Sequence, residues 1–132
     1  MLANEALVER RGEVRKSTIL VVEDYILLRI AMSELLRDCG FKVLQAMNGT
    51  EAIRVLSREA VDLVCSDINL PGPVSGTDIA DWLADHLPDI PIVIASGTVQ
   101  HRFADEPSRR FLAKPYPVDV LISTVRDLIG HA

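Results

Sequence analysis

Long apolar runs are missing from this sequence. The longest fall far short of the roughly 18 residues that a membrane-spanning helix needs, so no membrane partner is expected. Positive charge is in deficit as well: 14 Lys and Arg stand against 19 Asp and Glu, a formal charge of −5. That balance argues against direct nucleic-acid binding through a basic surface, and it is compatible with a cation or a basic partner. Cysteine is scarce. Cys39 and Cys65 stand alone without paired spacing and read as buried small hydrophobes in a reducing compartment rather than as a disulfide. The three histidines, His86, His101 and His131, are scattered without metal-ligand spacing and read as surface residues. The opening MLANEALVERRGEVRKS mixes acids with bases and has no apolar core, so it does not read as a secretory signal. A cytoplasmic location is the expectation. Internal repeats and low-complexity segments are also lacking.

What is present suits one globular domain: 132 residues, of which 48% are hydrophobic. Residues 1–17 are polar and weakly patterned and read as a tail, leaving 18–130 as the domain. Ile19–Glu23 is an apolar run closed by acids, a buried strand. Tyr25–Asp38 has helical spacing, with Leu28, Ala31, Met32, Leu35, Leu36 and Cys39 on one face and Gly40 as its stop. Phe41–Ala46 is a second strand. Asn48-Gly49 reads as a turn and Thr50 as the cap of a helix to about Arg58. Asp62–Ser66 is a third strand, Leu70–Gly76 a loop, and Thr77–His86 a helix carrying the single tryptophan, Trp82, as a packing or partly exposed residue. Ile92–Ala95 and Phe111–Ala113 complete the strands, with Arg109-Arg110 a solvated approach to the fifth. Val118–Ile129 closes the chain as an amphipathic helix.

Strands alternating with helices predict an α/β domain with a parallel sheet covered on both faces. In such sheets ligands gather outside the carboxyl ends of the strands. Those ends carry Glu23 and Asp24 after the first strand, Asp67 after the third, Ser96 after the fourth and Lys114 after the fifth. Like charges repel, so adjacent acids closing a buried strand either lie in solvent at a turn or are held by something positive. Hard oxygen ligands suit Mg²⁺. A carboxylate can attack phosphorus to give an aspartyl phosphate, and a metal and a lysine can neutralise the equatorial oxygens.

These segments resemble the receiver domain of two-component response regulators, over about Ser17 to Ile129. VVED at 21–24 is similar to that family's acidic pair, SDINLPG at 66–72 to its phosphoacceptor segment, ASG at 95–97 to its switch hydroxyl, and AKPY at 113–116 to its lysine followed by proline. The resemblance implies a doubly wound, flavodoxin-like sheet of five parallel strands in the order 2-1-3-4-5. It implies that Asp67 is the phosphoacceptor in a Mg²⁺-dependent transfer from a histidine kinase or a histidine phosphotransfer protein. Asp24, Asp67 and the backbone carbonyl of Asn69 would hold the metal, with Glu23 acting directly or through water. Lys114 would pair with the phosphoryl group across a cis bond to Pro115. Ser96 and Phe111 would be the switch residues, passing a conformational change to a protein partner. The chain would be a phosphoacceptor rather than an enzyme, with at most slow self-catalysed phosphorylation and dephosphorylation.

Departures from the pattern bear on the output. Lys114 follows Ser96 by 18 positions, somewhat fewer than in typical members, and TVQHRFADEPSRR between them has few apolar anchors. The fourth helix is expected to be short, displaced or frayed. Pro73 is an additional proline beside the site, expected to stiffen access to Asp67, and Gly97 is expected to leave room for small phosphodonors. No effector domain or DNA-binding motif follows Ile129, so a stand-alone receiver, a phosphate sink or shuttle, and a detached receiver of a hybrid kinase all stay open, as does a homodimer. Haloacid-dehalogenase-type phosphatases also use an aspartyl phosphate, but they want an acid two residues after the nucleophile, where this chain has Asn69. An interaction module that is never phosphorylated is the remaining alternative.

Overall fold

A computed structural model describes residues 16–97 and 106–130. The elements run β1 (Thr18–Val22), α1 (Ile26–Asp38), β2 (Lys42–Ala46), α2 (Gly49–Leu56), β3 (Leu63–Asp67), α3 (Gly76–His86), β4 (Ile92–Ser96), β5 (Arg109–Ala113) and α4 (Val118–Ile129). The five strands form one sheet in the order β2-β1-β3-β4-β5, every neighbouring pair parallel. This is the doubly wound, flavodoxin-like fold expected from the sequence.

Alternation along the strands divides the core in two. Leu20, Val22, Val64, Ile92 and Ile94 pack with Ala52, Leu56, Ile79 and Leu83 of α2 and α3. Ile19, Val21, Leu63, Cys65 and Val93 pack with Leu36, Leu121, Ile122 and Val125 of α1 and α4. Both faces of the central strands are therefore dry, which is why those strands read as unbroken apolar runs. Ser17 is buried, and its carbonyl accepts the Lys42 N–H at 2.9 Å.

Helix starts differ from the sequence expectation. The cap of α2 is Asn48 rather than Thr50: its side chain accepts the Glu51 N–H at 2.8 Å, and the Glu51 carboxylate accepts the Met47 N–H. The side chains of cap and acid each take up a backbone amide at the helix start, which outweighs the turn preference of Asn-Gly. The helix ends at Leu56, short of Arg58. Ser75 caps α3 through a capping box with Asp78, so the helix begins at Gly76, one residue before Thr77.

Burial adds detail to α1 and corrects two expectations. On α1 only Ser33 and Leu36 are fully buried; Leu28, Met32, Leu35 and Cys39 are half-buried and Ala31 is exposed, because the helix covers the sheet with a narrower stripe than its composition allows. Cys39 and Cys65 are both free, and only Cys65 is buried. Arg109 and Arg110 lie within β5 and are half-buried; the Arg109 guanidinium reaches Asp81 of α3 at 3.2 Å, which anchors the strand's start. Pro107 sits in the tight turn where Glu106 and Arg109 exchange backbone hydrogen bonds. Trp82 is half-buried against the α2–α3 core, stacked on the exposed His86 ring at 4.6 Å. The expected irregular fourth helix, His101, His131 and most of the N-terminal tail lie outside the described residues.

Candidate functional site

Four strand ends supply the site. Beyond β1, the Glu23 N–H still donates to the Ala46 carbonyl at 3.1 Å, so the β1–β2 ladder runs one residue further and fixes the first acid. Glu23 is only 4% exposed, whereas Asp24 is exposed. Asp67 ends β3 opposite Ala95, and the Ile68 N–H donates to the Ala95 carbonyl at 2.9 Å. Ser96, buried, ends β4. Its carbonyl accepts the Lys114 N–H at 2.7 Å, so the lysine leaves β5 directly beside the β4 end. The Lys114–Pro115 bond is cis, as the resemblance implied.

Side chains converge as these ends require. Lys114 Nζ lies 3.2 Å from Asp67 Oδ2 and 3.9 Å from Glu23 Oε1. One carboxylate oxygen from each of Glu23, Asp24 and Asp67 lies within 4.8 Å of the others. Three carboxylates against one ammonium leave a surplus of two negative charges when all are ionised, the charge of one divalent cation. An all-oxygen donor set with that surplus fits Mg²⁺. Asn69 is exposed, two residues beyond Asp67, and its N–H donates to Asp67 Oδ1 at 3.4 Å.

Electrostatics record the crowding. Burial pushes the Glu23 carboxyl above its ordinary range; the Asp67 charge and a hydrogen bond with Asp24 push the same way, while the Tyr25 N–H on Oε2 and the Lys114 ammonium oppose them. Beneath the acids, burial pushes the Cys65 thiol to about 12 and raises the Tyr116 phenol, which the charges of Cys65, Glu23 and Asp67 raise further. A cavity of about 10 Å³ lies there, lined among others by Glu23, Cys65, Asp67, Lys114 and Tyr116.

Phe111 is placed away from the carboxylates. It pairs with Ile94 in the β4–β5 ladder and packs half-buried against the α2–α3 core. Gly97 is exposed, and a β-carbon there would meet nothing within 4 Å. Pro73 is exposed. Two residues at the site went unassigned from sequence. Arg29 reaches back from the first turns of α1 to the Glu23 carbonyl at 2.9 Å and to Gln45 Oε1 at 3.1 Å, and its only signal was a cation five residues after the acid pair. Tyr116, whose hydroxyl donates to the Met32 sulfur at 3.9 Å, was signalled by an aromatic two residues after Lys114.

Comparison with known proteins gives the same picture. The family model "Response regulator receiver domain" matches residues 19–126. The sensor kinase CckA of Brucella abortus is 30% identical over 96% of this chain. The chain spans 14% of that kinase and between 12% and 56% of several other curated relatives. Among solved structures, a response regulator receiver protein from Sinorhizobium medicae superposes with a TM-score of 0.81 at 31% identity, covering 89% of this chain and 98% of its own. The response regulator TrrA of Thermotoga maritima, in complex with Mg(2+)-BeF, superposes at 0.75 with 29% identity over 85% of this chain and 98% of its own.

Proposed function

The chain belongs to the response regulator receiver domain family, and on that premise we propose that Asp67 accepts a phosphoryl group from a histidine kinase or histidine phosphotransfer protein in a Mg²⁺-dependent reaction. The observation that carries this reading is the Lys114 ammonium held 3.2 Å from Asp67 within a cluster of three carboxylates. The Mg(2+)-BeF complex of TrrA supports the choice of metal, and kinship with a sensor kinase supports the choice of donor.

In this reading Glu23, Asp24, Asp67 and the Asn69 carbonyl hold the metal, which when bound neutralises charge on the transferred group. Asp67 attacks phosphorus with one carboxylate oxygen and the donor imidazole departs. Lys114 then exchanges its ion pair with the carboxylate for one with the phosphoryl oxygens, and the Ser96 hydroxyl at the end of β4 turns toward the same group. Because β4 and β5 meet where Ser96 accepts the Lys114 N–H, both residues move together, and Phe111 further along β5 carries the change to a protein partner. Turnover is at most slow self-catalysed phosphorylation and dephosphorylation. Tyr25, Ile26 and Leu27 follow the acid pair with 59%, 54% and 64% of their surface exposed, so a donor protein reaching Asp67 would bury them.

Intact mass after incubation with Mg²⁺ and a small acyl phosphate tests the proposal. One phosphoryl group should appear on the wild-type chain and be lost in Asp67→Asn. No gain from that donor or from any co-encoded histidine kinase would refute it and favour a module that only binds partners.

A further inference from the structure

The loop that follows the phosphoacceptor, residues 68–75, is closed at its stem by backbone alone. The Gly76 N–H donates to the Ile68 carbonyl at 2.9 Å. The Asp67 carbonyl accepts the Ser66 hydroxyl at 2.8 Å and faces Gly76 so closely that a β-carbon on Gly76 would sit 2.5 Å from that oxygen and 2.8 Å from Ile68 Cα. These atoms are backbone, so no side chain can swing away to make room. At the far end of the loop, Gly49 opens α2 and lies under Val74, where a β-carbon would fall 2.4 Å from the Val74 carbonyl oxygen. The loop is thus gripped twice, once beside Asp67 and once seven residues after it. Ser75 and Asp78 lock the start of α3 between the two grips through the capping box.

We propose that Gly76 is a positioning residue for metal binding: its bare Cα lets α3 close onto the Asp67–Ile68 backbone, and this closure sets where the phosphoacceptor and the following Asn69 backbone stand toward Glu23 and Asp24. The inference rests on the metal reading of the carboxylate cluster. A side chain at Gly76 drives the Asp67 carbonyl outward and shifts a ligand-bearing segment. A side chain at Gly49 crowds the same loop at Val74, seven residues beyond Asp67, and the atoms nearest to it all belong to Val74.

Calorimetric titration with Mg²⁺ alone distinguishes these cases in wild type, Gly76→Ala and Gly49→Ala. Residues that orient metal ligands typically change affinity about ten-fold or more, so Gly76→Ala should bind Mg²⁺ at least about ten-fold more weakly, while Gly49→Ala melts earlier yet keeps near-wild-type affinity. At a temperature where metal-free Gly76→Ala is still fully folded, saturating Mg²⁺ should restore its Asp67 phosphorylation, so that the rescue reports recovered metal occupancy and not added stability. Wild-type affinity in Gly76→Ala, or an equal loss in both variants, overturns the inference and leaves the metal reading intact. No Mg²⁺ binding by the wild-type chain overturns both. Should Gly76→Ala fail to fold, Ser75→Ala, which unlocks the start of α3 without a clash, should weaken Mg²⁺ binding several-fold, and unchanged affinity there overturns the inference.

Discussion

Replacing Glu23 by glutamine should stabilise the metal-free protein, and the gain should depend on pH. Glu23 is 4% exposed, with Asp24 and Asp67 carboxylate oxygens within 4.8 Å and the Lys114 ammonium at 3.9 Å. Each carboxylate repulsion at 4.8 Å amounts to about 1 kcal/mol in bulk water and about 3.5 kcal/mol at an effective dielectric of 20, and the lysine attraction at 3.9 Å to about 1 and about 4 kcal/mol on the same scales. One repulsion therefore offsets the attraction. The second repulsion and the cost of burying the charge remain, so Glu23→Gln should gain about 1–2 kcal/mol once Glu23 is ionised. Glutamine still accepts the Tyr25 N–H through its amide oxygen. The folded-state pKa of Glu23 is raised above its ordinary 4.5. The folded protein therefore holds that proton more tightly than the unfolded chain, and the stability this contributes is present below 4.5 and lost as pH rises through the folded value. The advantage of the variant should grow across that same interval. In chelator-treated samples followed by circular dichroism, the melting temperature at about pH 8 should rise by roughly 3–12 °C over wild type, with little difference at about pH 4. A variant that melts at or below wild type at about pH 8, or one that gains equally at both pH values, would refute the reasoning.

Other outcomes follow from the same geometry. Mg²⁺ at 100 times Kd should stabilise the wild type by about 2.7 kcal/mol and so raise its melting temperature, and a fixed Mg²⁺ concentration should do more at high pH, where Glu23 has lost its proton; Asp24→Asn should blunt the response, and a melting curve indifferent to Mg²⁺ would sink the metal site. Arg29→Ala removes the guanidinium from the Glu23 carbonyl and Gln45; it should lower stability by roughly 1–3 kcal/mol in denaturant titrations and weaken Mg²⁺ binding through the loosened acid pair. Cys65, with its thiol at about 12, is ionised to roughly one part in ten thousand at about pH 8; mass spectrometry after brief iodoacetamide treatment should find Cys39 alkylated well before Cys65, and equal rates without denaturant would contradict the burial. Leu27→Ser should slow transfer from the cognate kinase roughly 5–30-fold while phosphorylation by a small acyl phosphate is unchanged; equal loss with both donors would remove Leu27 from the donor surface.

The convergence of the polar groups was legible because it is written at strand ends. A central parallel strand is dry on both faces, so VVED, CSD and IAS each read as an apolar run meeting a polar residue, and the sheet edge does the rest by bringing Glu23, Asp67, Ser96 and Lys114 together. Helix starts were less legible because a cap is decided by which side chain turns onto which amide. Asn48 wins by accepting the Glu51 N–H while Glu51 accepts that of Met47, and Ser75 by reciprocal bonds with Asp78, which no single-residue preference contains. The coverage of α1 was not legible for a related reason: periodicity shows which residues share a face, not how much of that face a sheet covers, and Leu28, Met32 and Leu35 remain half-exposed.

What sequence could not supply was the support behind the clustered charges. Arg29 and Gly76 neighbour the acids only through the fold, one by a side chain that reaches back across a turn and one by having no side chain where two backbones meet. Neither carries a motif. Both act on the two loops that bear the carboxylates, and a cluster of three like charges tolerates little slack: a shift that parts the oxygens lowers their repulsion in the metal-free protein and weakens their joint hold on a cation. Stability without metal and affinity for metal are thus opposed at this site. Glu23→Gln should move along that opposition, raising the first and lowering the second, whereas Gly76→Ala should lower affinity without the stability gain, because it displaces backbone instead of removing charge.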